Sequence, residues 1–395
     1  MKIFVVTGEP FPYGRAATNR IISYGKGFRE HGVETQILCL RANNTDKNLG
    51  LNKKGVYEKI PYEYVSGTPY RPKNFIFRRY VYFKGLIRSI FIICKKYSKS
   101  KAIIVHTNEY FIIIFFKVLS LIFNYTIFQE KSEFPFVLKN KSLIGKFWTN
   151  IYLNTIYCLF DGILCETEKL RFFLKKYSGE KTKFLIVPST IIPNKILEEP
   201  TDPESEKYIF YCGSLDKDKG DGLPILINAF SLITDKYQEL KLIISGFSSN
   251  KKDVQELIEL SKRLQIEKKV IFTGRVTDAQ LVYFQKNAAI LALAKENNEI
   301  QSGGLSSKII EYLYTGNPVV LTELSEITNH LKNNETVFFC TPGSSQSMAE
   351  KFIYVLENPI QAKKIGLKGQ EYALNTFDYY LHTGRIINFI NSFYE

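Results

Sequence analysis

Short runs of valine, isoleucine, leucine and phenylalanine alternate along the chain with longer stretches whose apolar positions have helical spacing. This alternation is typical of βαβ units, in which parallel strands are buried on both faces. It predicts an α/β fold with two series of strands. The first series comprises residues 2–7, 34–40, 102–105, 125–128, 162–165 and 184–187, and the second comprises residues 208–212, 241–245, 270–272, 290–294 and 318–322.

Residues 188–207 separate the two series. They contain four prolines among Asn, Glu and Ser residues and have no sustained periodicity, as is typical of a linker. We therefore expect two Rossmann-like domains, residues 1–192 and 193–377, with parallel sheets that face a central ligand-binding cleft. The apolar positions of residues 378–395 have helical spacing, and we expect this helix to pack back on the N-terminal domain.

Length and composition fit this organisation. A chain of 395 residues is long for one core and suits two domains, and 45% hydrophobic with 23% charged residues is typical of a globular protein. The six cysteines are scattered and form no Cys-x-x-Cys pair. This usage favours a reduced, cytoplasmic compartment and argues against a disulfide framework or a zinc site.

The formal charge of +14 is concentrated in the first half of the chain. Residues 1–200 hold 32 Lys and Arg against 15 Asp and Glu, whereas residues 201–395 hold 21 against 24. A strongly basic half favours nucleic acid, anionic lipid or a phosphorylated substrate as partner. The sequence contains no nucleic-acid-binding module, so we expect an anionic membrane surface and no nucleic acid.

Two apolar stretches lie within the basic half. Residues 75–96 mix large aromatic and aliphatic side chains with six cations, which is typical of a helix lying in a membrane interface. Charges interrupt this stretch too often for it to span a bilayer. Residues 110–123 are also too short to span, and they predict a core helix between strands.

Residues 301–320 predict a glycine-rich loop, then a helix and a strand. Gly303 and Gly304 let the backbone approach a ligand closely, and Ser306 or Ser307 is expected to cap the helix. Free amides up to Lys308, at the positive end of the helix, would seat a diphosphate. Glu311 lies about one turn further in, where a carboxylate suits ribose hydroxyls. A plain βα turn of another Rossmann-like domain is the alternative.

This segment resembles the donor-binding loop and helix of the retaining GT-B glycosyltransferases, of the glycosyl transferases group 1, family four type. In that family two glutamates with seven residues between them bracket the loop; the second holds the ribose and the first contacts the donor sugar. Glu311 matches the second glutamate. The first falls at Gly303, so Gln301 or Glu299 is expected to serve instead. The resemblance covers nearly the whole chain and is strongest over residues 208–342.

Residues 211–223 carry a second match to this family. The family has Gly-Arg-Leu and then Lys-Gly, and both cations neutralise the diphosphate. Lys219 falls on the lysine, but Ser214 replaces the arginine, so Lys217 or Lys308 could substitute for it. A cation in this loop suits a leaving diphosphate, because negative charge grows there as the glycosidic bond breaks.

Further matches are shorter. Gly274 and Arg275 resemble the family's stretch against the nucleotide base, and Gly14 with Arg15 resembles its glycine-rich acceptor loop. Residues 216–218 spell Asp-x-Asp, a metal-binding pattern, but this family needs no metal. The resemblance therefore implies a nucleotide-diphosphate sugar as donor substrate, with no cofactor and no metal.

Three polar residues near strand ends in the first series are candidates for sugar contacts. The family often carries a histidine after the strand predicted at residues 125–128, where this chain has Glu130 and Glu133. Either could position sugar or acceptor hydroxyls, although ordinary solvated charges are an equally good interpretation. His106 ends the preceding strand and is another candidate contact. The four histidines allow no convincing Ser-His-Asp triad.

The resemblance implies transfer with retained anomeric configuration, in which the acceptor hydroxyl attacks on the face from which the diphosphate leaves. The protein then positions the reactants and stabilises the departing charge, without a protein nucleophile. We expect a cytoplasmic enzyme, peripheral on the inner face of the cell membrane, acting on a lipid-linked or glycan acceptor in lipopolysaccharide, capsule or exopolysaccharide synthesis. Two alternatives are a nucleotide-sugar 2-epimerase of the same fold and a catalytically silent GT-B partner subunit.

Overall fold

A computed structural model of the protein describes residues 1–14, 16–44, 49–95, 101–135, 142–202, 204–217, 221–295 and 306–395. The chain divides into two compact units, one formed by Met1–Ile191 with Asp378–Glu395 and the other by Ile192–Phe377. Each unit contains one sheet of mainly parallel strands with helices packed against it. The predicted α/β fold class is confirmed.

The first unit contains an eight-stranded sheet. Its strands are β1 (Lys2–Thr7), β2 (Glu34–Cys39), β3 (Lys54–Tyr57), β4 (Ile60–Tyr64), β5 (Lys101–His106), β6 (Thr126–Lys131), β7 (Gly162–Cys165) and β8 (Lys183–Ile186). Their order is β3-β4-β2-β1-β5-β6-β7-β8. All neighbours pair in parallel except β3 and β4, which form an antiparallel hairpin at one edge.

This hairpin is the part of the first sheet that the sequence pattern did not predict. Its two turn residues, Glu58 and Lys59, have φ angles of 46° and 65°. Such turns usually carry asparagine or glycine, because those residues adopt positive φ at little cost. The turn therefore leaves no recognisable signal in the sequence.

Six α-helices lie in the part of the first unit that the structure describes. They are α1 (Ala16–Glu30), α2 (Phe75–Lys95), α3 (Tyr110–Phe123), α4 (Leu143–Ile156), α5 (Glu168–Lys175) and, from the end of the chain, α14 (Tyr379–Asn391). Ile93 of α2, Ile112 of α3 and Leu153 of α4 belong to one buried cluster with Val6 and Val105 of the sheet. These three helices therefore cover the same face of the sheet, whereas α14 packs on α1 and brings Phe389 within 5.7 Å of the Phe128 ring.

The prediction that residues 110–123 form a core helix is wrong for one side of α3. Ile112, Ile113 and Phe116 are buried, but Phe111 and Leu121 are largely exposed. A helix on a sheet buries only the side that faces the sheet, and the apolar composition of α3 does not stop at that side.

Buried polar contacts tie α1 to the carboxyl end of the first sheet. Arg20 Nε lies 2.5 Å from the Glu130 Oε1 atom of β6. The same guanidinium donates to the Val187 carbonyl oxygen at 2.8 Å and to Ser189 Oγ at 3.2 Å. Ser189 in turn donates to Glu166 Oε1 at 2.5 Å. Because these groups are buried, their mutual contacts replace the water that they lose on folding.

The second unit contains a six-stranded parallel sheet. Its strands are β9 (Tyr208–Ser214), β10 (Lys241–Phe247), β11 (Val270–Gly274), β12 (Ile290–Leu293), β13 (Val319–Thr322) and β14 (Phe338–Cys340). Their order is β11-β10-β9-β12-β13-β14, and β14 is an edge strand of three residues that the pattern did not predict. The pattern fails there because three residues are too few to show a period.

The described helices of this unit are α6 (Asn194–Glu198), α7 (Leu223–Ser231), α8 (Lys251–Arg263), α9 (Asp278–Asn287), α10 (Ser307–Tyr314), α11 (Ser325–Thr328), α12 (Ser345–Glu357) and α13 (Pro359–Thr376). The short helix α6 falls inside residues 188–207, which the sequence predicts to be an irregular linker. Its Ile196 is buried, so this part of the segment is folded into the second unit.

We expect Glu166→Gln to stabilise the protein at about pH 8, by on the order of 2 kcal/mol, and to lose this advantage towards about pH 5. Burial raises the pKa of Glu166 to about 7, although Arg20 lowers it. The folded chain thus keeps a proton that the unfolded chain loses near its ordinary pKa of 4.5. In the wild type, the stabilisation from this retained proton is complete below the ordinary pKa of Glu166 and is lost as the pH rises through the folded pKa. The glutamine of the variant does not titrate, so its advantage over the wild type appears only at the higher pH.

Differential scanning calorimetry across this pH range measures the difference in Tm. Glu180→Gln, an exposed glutamate of the same unit, is the matched control and should show no such trend. A difference between Glu166→Gln and the wild type that stays constant with pH would contradict the raised pKa.

Candidate active site

The strand order of the second sheet reverses at β9, which has β10 on one side and β12 on the other. In open parallel sheets, ligands bind beyond the carboxyl ends of the strands at such a reversal. Two groups predicted from the sequence, Ser214 at the end of β9 and the start of helix α10, lie in this part of the unit. The Lys308 side chain of α10 passes directly over Gly213, the neighbour of Ser214. The end of β9 and the start of α10 are therefore close together.

Helix α10 is held firmly by its buried side. Ile309, Ile310 and Leu313 are fully buried, and the Tyr312 hydroxyl accepts a hydrogen bond from the Cys212 amide of β9 at 2.9 Å. Ser306 precedes the first helical residue, but its hydroxyl makes no capping hydrogen bond. The predicted serine cap is therefore absent, and tertiary packing holds this helix.

Glu311 is half-buried. Its Oε2 atom accepts a hydrogen bond from Gln285 Nε2 of α9 at 3.1 Å, and Gln285 is itself buried. Burial raises the pKa of Glu311, while the bond from Gln285 and the charge of Lys308 lower it. The carboxylate is thus held in one orientation by a buried amide, which suits a group that accepts hydrogen bonds from a ligand.

Lys308 forms an ion pair with Asp221, a buried residue that also accepts a hydrogen bond from the Tyr211 hydroxyl at 2.7 Å. The ammonium lies 3.4 Å from this hydroxyl and 5.1 Å from the Tyr211 ring centroid. A side chain at Gly213 would overlap the lysine and the tyrosine. Glycine thus leaves the space through which Lys308 crosses the backbone at the end of β9.

Ser214 contacts no cation in the described structure; its hydroxyl donates to Asp216 Oδ2 at 2.8 Å. Asp216 also accepts hydrogen bonds from the Ser248 hydroxyl and from the amide and hydroxyl of Ser249, each at 2.7 to 2.8 Å. These donors, Ser248 foremost, lower the pKa of Asp216. Its carboxylate therefore joins the loops after β9 and β10. Lys217 is exposed and pairs with Glu256 at 3.1 Å.

Gly274 ends β11 with a φ of 68°, in open space, and Arg275 follows it. The Arg275 guanidinium lies 3.7 Å from the ring centroid of Phe247, at the end of the neighbouring strand β10. Arg275 is exposed and Phe247 is half-buried beneath it, so the two planar groups form one surface. Such a surface is able to stack on a nucleotide base.

Several predicted site residues lie outside the described residues, and their roles stay predictions: Arg15, Lys219, Glu299, Gln301, Gly303 and Gly304.

In the first unit, His106 and Glu130 meet at the carboxyl ends of the adjacent strands β5 and β6. His106 Nε2 lies 3.0 Å from Glu130 Oε2, while the other carboxylate oxygen faces Arg20. Burial alone would raise the pKa of Glu130, but Arg20 and then His106 lower it to about 2. Glu130 is buried, so its interpretation as an ordinary solvated charge is wrong. Of this group His106 is the more exposed, at 12% of its side chain.

The other predicted residues of this unit do not belong to the group formed by His106, Glu130 and Arg20. Glu133 lies beyond the end of β6 and is exposed. Gly14 lies so close to Thr18 that a side chain would overlap it, and Thr18 donates to the Pro10 carbonyl oxygen at 2.7 Å. Gly14 is thus required by the packing of the loop on α1.

Sequence reasoning missed the buried partners in both units: Arg20, Glu166 and Ser189 in the first, and Tyr211, Asp221 and Gln285 in the second. Four of them contact a predicted residue from a distant part of the chain: Arg20 contacts Glu130, Tyr211 and Asp221 contact Lys308, and Gln285 contacts Glu311. Ser189 and Glu166 are linked to Glu130 only through Arg20. The one available signal was Arg20, a cation set among apolar positions of a helix.

Among the described residues, no group of three or more His, Cys, Asp and Glu side chains is arranged to hold a metal ion. Within the same ranges, no helix has the length and apolar character that crossing a membrane requires.

Residues 194–372 match the protein family described as glycosyl transferases group 1. Two relatives are the alpha-1,3/1,6-mannosyltransferase ALG2 of Dictyostelium discoideum, 21% identical over 202 residues, and the capsular polysaccharide biosynthesis glycosyltransferase CapM of Staphylococcus aureus, 24% identical over 185 residues. The matches cover 48% and 47% of this chain and 46% of each relative. The chain thus spans about half the length of the curated relatives it matches.

Solved structures match along nearly the whole chain. HepE of Anabaena in complex with UDP has a TM-score of 0.73 and 16% identity, with 99% of this chain and 100% of that chain covered. Sucrose-phosphate synthase of Thermosynechococcus elongatus has a TM-score of 0.74 and 14% identity, with 100% and 99% covered. The chain therefore has the GT-B fold, and its residues 194–372 match the family model described as glycosyl transferases group 1.

Proposed function

We propose that the protein is a retaining glycosyltransferase that moves a sugar from a nucleotide-diphosphate sugar to a membrane-associated glycan or glycolipid. The observation that carries this proposal is the family match over residues 194–372, the segment that also contains Glu311 and Lys308. The CapM relative acts in capsular polysaccharide biosynthesis, and HepE binds UDP. Both agree with a role in surface polysaccharide or glycolipid synthesis.

The donor is proposed to bind at the carboxyl end of the second sheet. Glu311, oriented by Gln285, accepts the ribose hydroxyls, and the base lies on the surface formed by Arg275 and Phe247. The diphosphate takes the start of α10, where free amides and the helix dipole favour an anion. Lys308 lies in the first turn of that helix. It supplies the cation that the family's arginine would give, since this chain has Ser214 at that position.

The proposed reaction needs no metal, no cofactor and no protein nucleophile. The acceptor oxygen bonds to the anomeric carbon as the bond from that carbon to the diphosphate oxygen breaks, and the acceptor proton passes to the departing diphosphate. Negative charge grows on the diphosphate during this step. Lys219 and Lys308 are proposed to stabilise it, since preorganised charges contribute most where charge develops.

In the first unit, His106 is proposed to contact a sugar or acceptor hydroxyl, and Glu130 to act through it. Glu130 is buried and fully engaged by Arg20 and His106, so it is a positioning residue. A carboxylate bonded to one ring nitrogen fixes the histidine tautomer and leaves the other nitrogen as a hydrogen-bond acceptor. Glu133, Gly14 and Arg15 are retained as candidate acceptor contacts.

Membrane docking is proposed through α2. Its buried positions, Val81, Gly85, Ser89 and Ile93, recur every four residues, and the large apolar side chains on the opposite side of the helix are exposed. Arg79 and Lys84 are exposed cations on either side of these apolar residues. An outward apolar row flanked by cations is typical of helices in an anionic membrane interface. The row consists of Ile76, Tyr80, Phe83, Ile87 and Phe91.

Isothermal titration with UDP-, GDP- and ADP-sugars, followed by product analysis, tests the reaction class. Donor binding with transfer only when an acceptor is present supports the glycosyltransferase. Epimerisation of the donor without acceptor would identify the 2-epimerase. Binding of none of the donors would favour a silent partner subunit.

Glu311→Gln should weaken donor affinity roughly 10- to 100-fold, since each charge-assisted bond to a ribose hydroxyl contributes about 1.5 to 3 kcal/mol. The glutamine keeps the bond from Gln285 and hence the fold. Glu311→Ala should cost more affinity and also lower Tm, because it leaves the buried Gln285 amide without its partner. Calorimetric titration measures the affinities.

Two controls separate this role from others. Glu335→Gln, an exposed glutamate of the same unit, should leave donor affinity unchanged. A 2′,3′-dideoxyribose donor analogue should bind wild type poorly and lose little more on Glu311→Gln. An equal loss for the analogue and the natural donor would refute the ribose assignment.

His106→Ala should lower kcat about tenfold or more, with little change in donor affinity, because one hydrogen bond to the reacting sugars is lost. His106→Gln should recover part of the rate, since its amide oxygen restores an acceptor. Steady-state kinetics and donor titration provide the two readouts. Equal rates for wild type and His106→Ala would exclude the contact.

Replacing Arg79 and Lys84 by glutamate should weaken binding to anionic vesicles roughly 30-fold or more at low ionic strength, at about 1 kcal/mol per cation near the surface. Arg88 stays unchanged because it pairs with the buried Glu63 at 2.7 Å. The matched control reverses Lys364 and Lys368, which are exposed in the second unit. Vesicle co-sedimentation reports the affinity, and equal binding by both variants would argue against docking through α2.

A further inference from the structure

The N-terminal half of α4 buries almost none of its side chains. Leu143, Ile144, Phe147 and Trp148 are exposed by 86%, 74%, 62% and 61%, and its first buried side chain is Tyr152. The helix nevertheless starts cleanly, because the Ser142 hydroxyl accepts a hydrogen bond from the Gly145 amide at 3.0 Å. Two helical turns therefore extend beyond the core, and their four large apolar side chains lie within about 140° of one another around the helix axis.

This end of α4 belongs to a larger apolar layer. Of the 28 large hydrophobic side chains that are exposed within the described ranges, 15 lie on α2, α3 and α4. The three helices cover the same face of the first sheet. Soluble surfaces rarely expose so many apolar side chains together unless they bind something.

The charges of the same helices identify the partner. The 21, 14 and 14 residues of α2, α3 and α4 include seven lysines and arginines and no aspartate or glutamate. A protein partner would be recognised through mixed charges around an apolar centre. Arg88 pairs with Glu63 and Lys117 with Asp161, whereas Arg79, Lys84 and Lys146 are exposed among the apolar side chains. Exposed cations beside large apolar side chains, with tryptophan and phenylalanine among them, suit the headgroup region of an anionic bilayer.

We propose that the N-terminal half of α4 inserts into the interface of an anionic membrane and forms a second lipid contact beside α2. The inference rests on the membrane association proposed above and adds a separate anchor to it. Crossover helices run antiparallel to the strands, so the start of α4 lies towards the carboxyl end of β6, near Glu130 and His106. Insertion there would bring lipid to the end of the sheet that holds the candidate acceptor contacts.

Trp148 makes the test direct, because it is the single tryptophan of the chain. Its fluorescence is measured with the full chain mixed with vesicles of phosphatidylglycerol and phosphatidylcholine, with and without brominated acyl chains. We expect a blue shift and quenching by the brominated lipid. Vesicles of phosphatidylcholine alone should give a much smaller change.

A variant with Leu143, Ile144 and Phe147 changed to serine keeps Trp148 as the reporter. It should bind anionic vesicles roughly tenfold or more weakly, since three large apolar side chains no longer leave water. The matched control changes three exposed apolar residues of the second unit, Leu232, Ile360 and Leu367, to serine. That control should bind as wild type does, and both variants should keep the wild-type Tm.

The outcomes separate the two membrane contacts. If the protein binds vesicles while Trp148 shows neither shift nor quenching, insertion of α4 is overturned and docking through α2 stands. A blue shift that appears without lipid and grows with protein concentration, together with dimers in sedimentation, would show that a second copy covers this surface, and would also overturn the inference. If the wild-type protein binds no anionic vesicles at all, both the α2 contact and the α4 contact are overturned.

Discussion

Parallel strands of a βαβ sheet all end on the same side, so the polar groups that follow them must satisfy one another or a ligand. In the first unit, Arg20 reaches across this side and contacts Glu130 and the segment after β8. The ion pair is buried, and removing either partner would leave an unpaired charge. His106 is held by the same carboxylate. Stability of the unit and orientation of its candidate catalytic residue therefore depend on one set of contacts.

The second unit applies the same constraint to a charged ligand. Both ionised side chains at the start of α10 already have buried partners, Asp221 for Lys308 and Gln285 for Glu311. Such partners orient a group before the ligand arrives, which reduces the entropy lost on binding. For Lys308 the pairing also creates competition, since a diphosphate bound as proposed would share the ammonium with Asp221. A lysine held in this way would favour the ligand with the greater negative charge, which in the proposed reaction is the departing diphosphate rather than the bound donor.

The sequence predicts the parts of this structure that depend on local pattern. The α/β class and helix α10 follow from apolar periodicity. Antiparallel strands β3 and β4 were missed because Glu58 and Lys59 adopt positive φ without glycine or asparagine. In the candidate site, Glu311 could be identified by its motif but Gln285 could not, since the two residues meet only when α9 and α10 pack. The burial of Glu130 was hidden for the same reason: Arg20 is far from it in sequence.

Helix α3 shows why apolar periodicity alone misassigned part of the surface. A run of apolar residues predicts burial, yet a helix on a sheet has an outer side, and on α2, α3 and α4 that side remains apolar. Exposure of this kind would favour self-association unless another surface covers it. The helices contain cations and no anions, so in the proposed membrane contact long-range attraction to anionic lipid and short-range apolar burial would act on the same face. The attraction would raise the rate of arrival, and the burial would lengthen residence. A lipid-linked acceptor of the kind proposed would lie in that membrane, so docking there would replace a search through solution by a search in two dimensions.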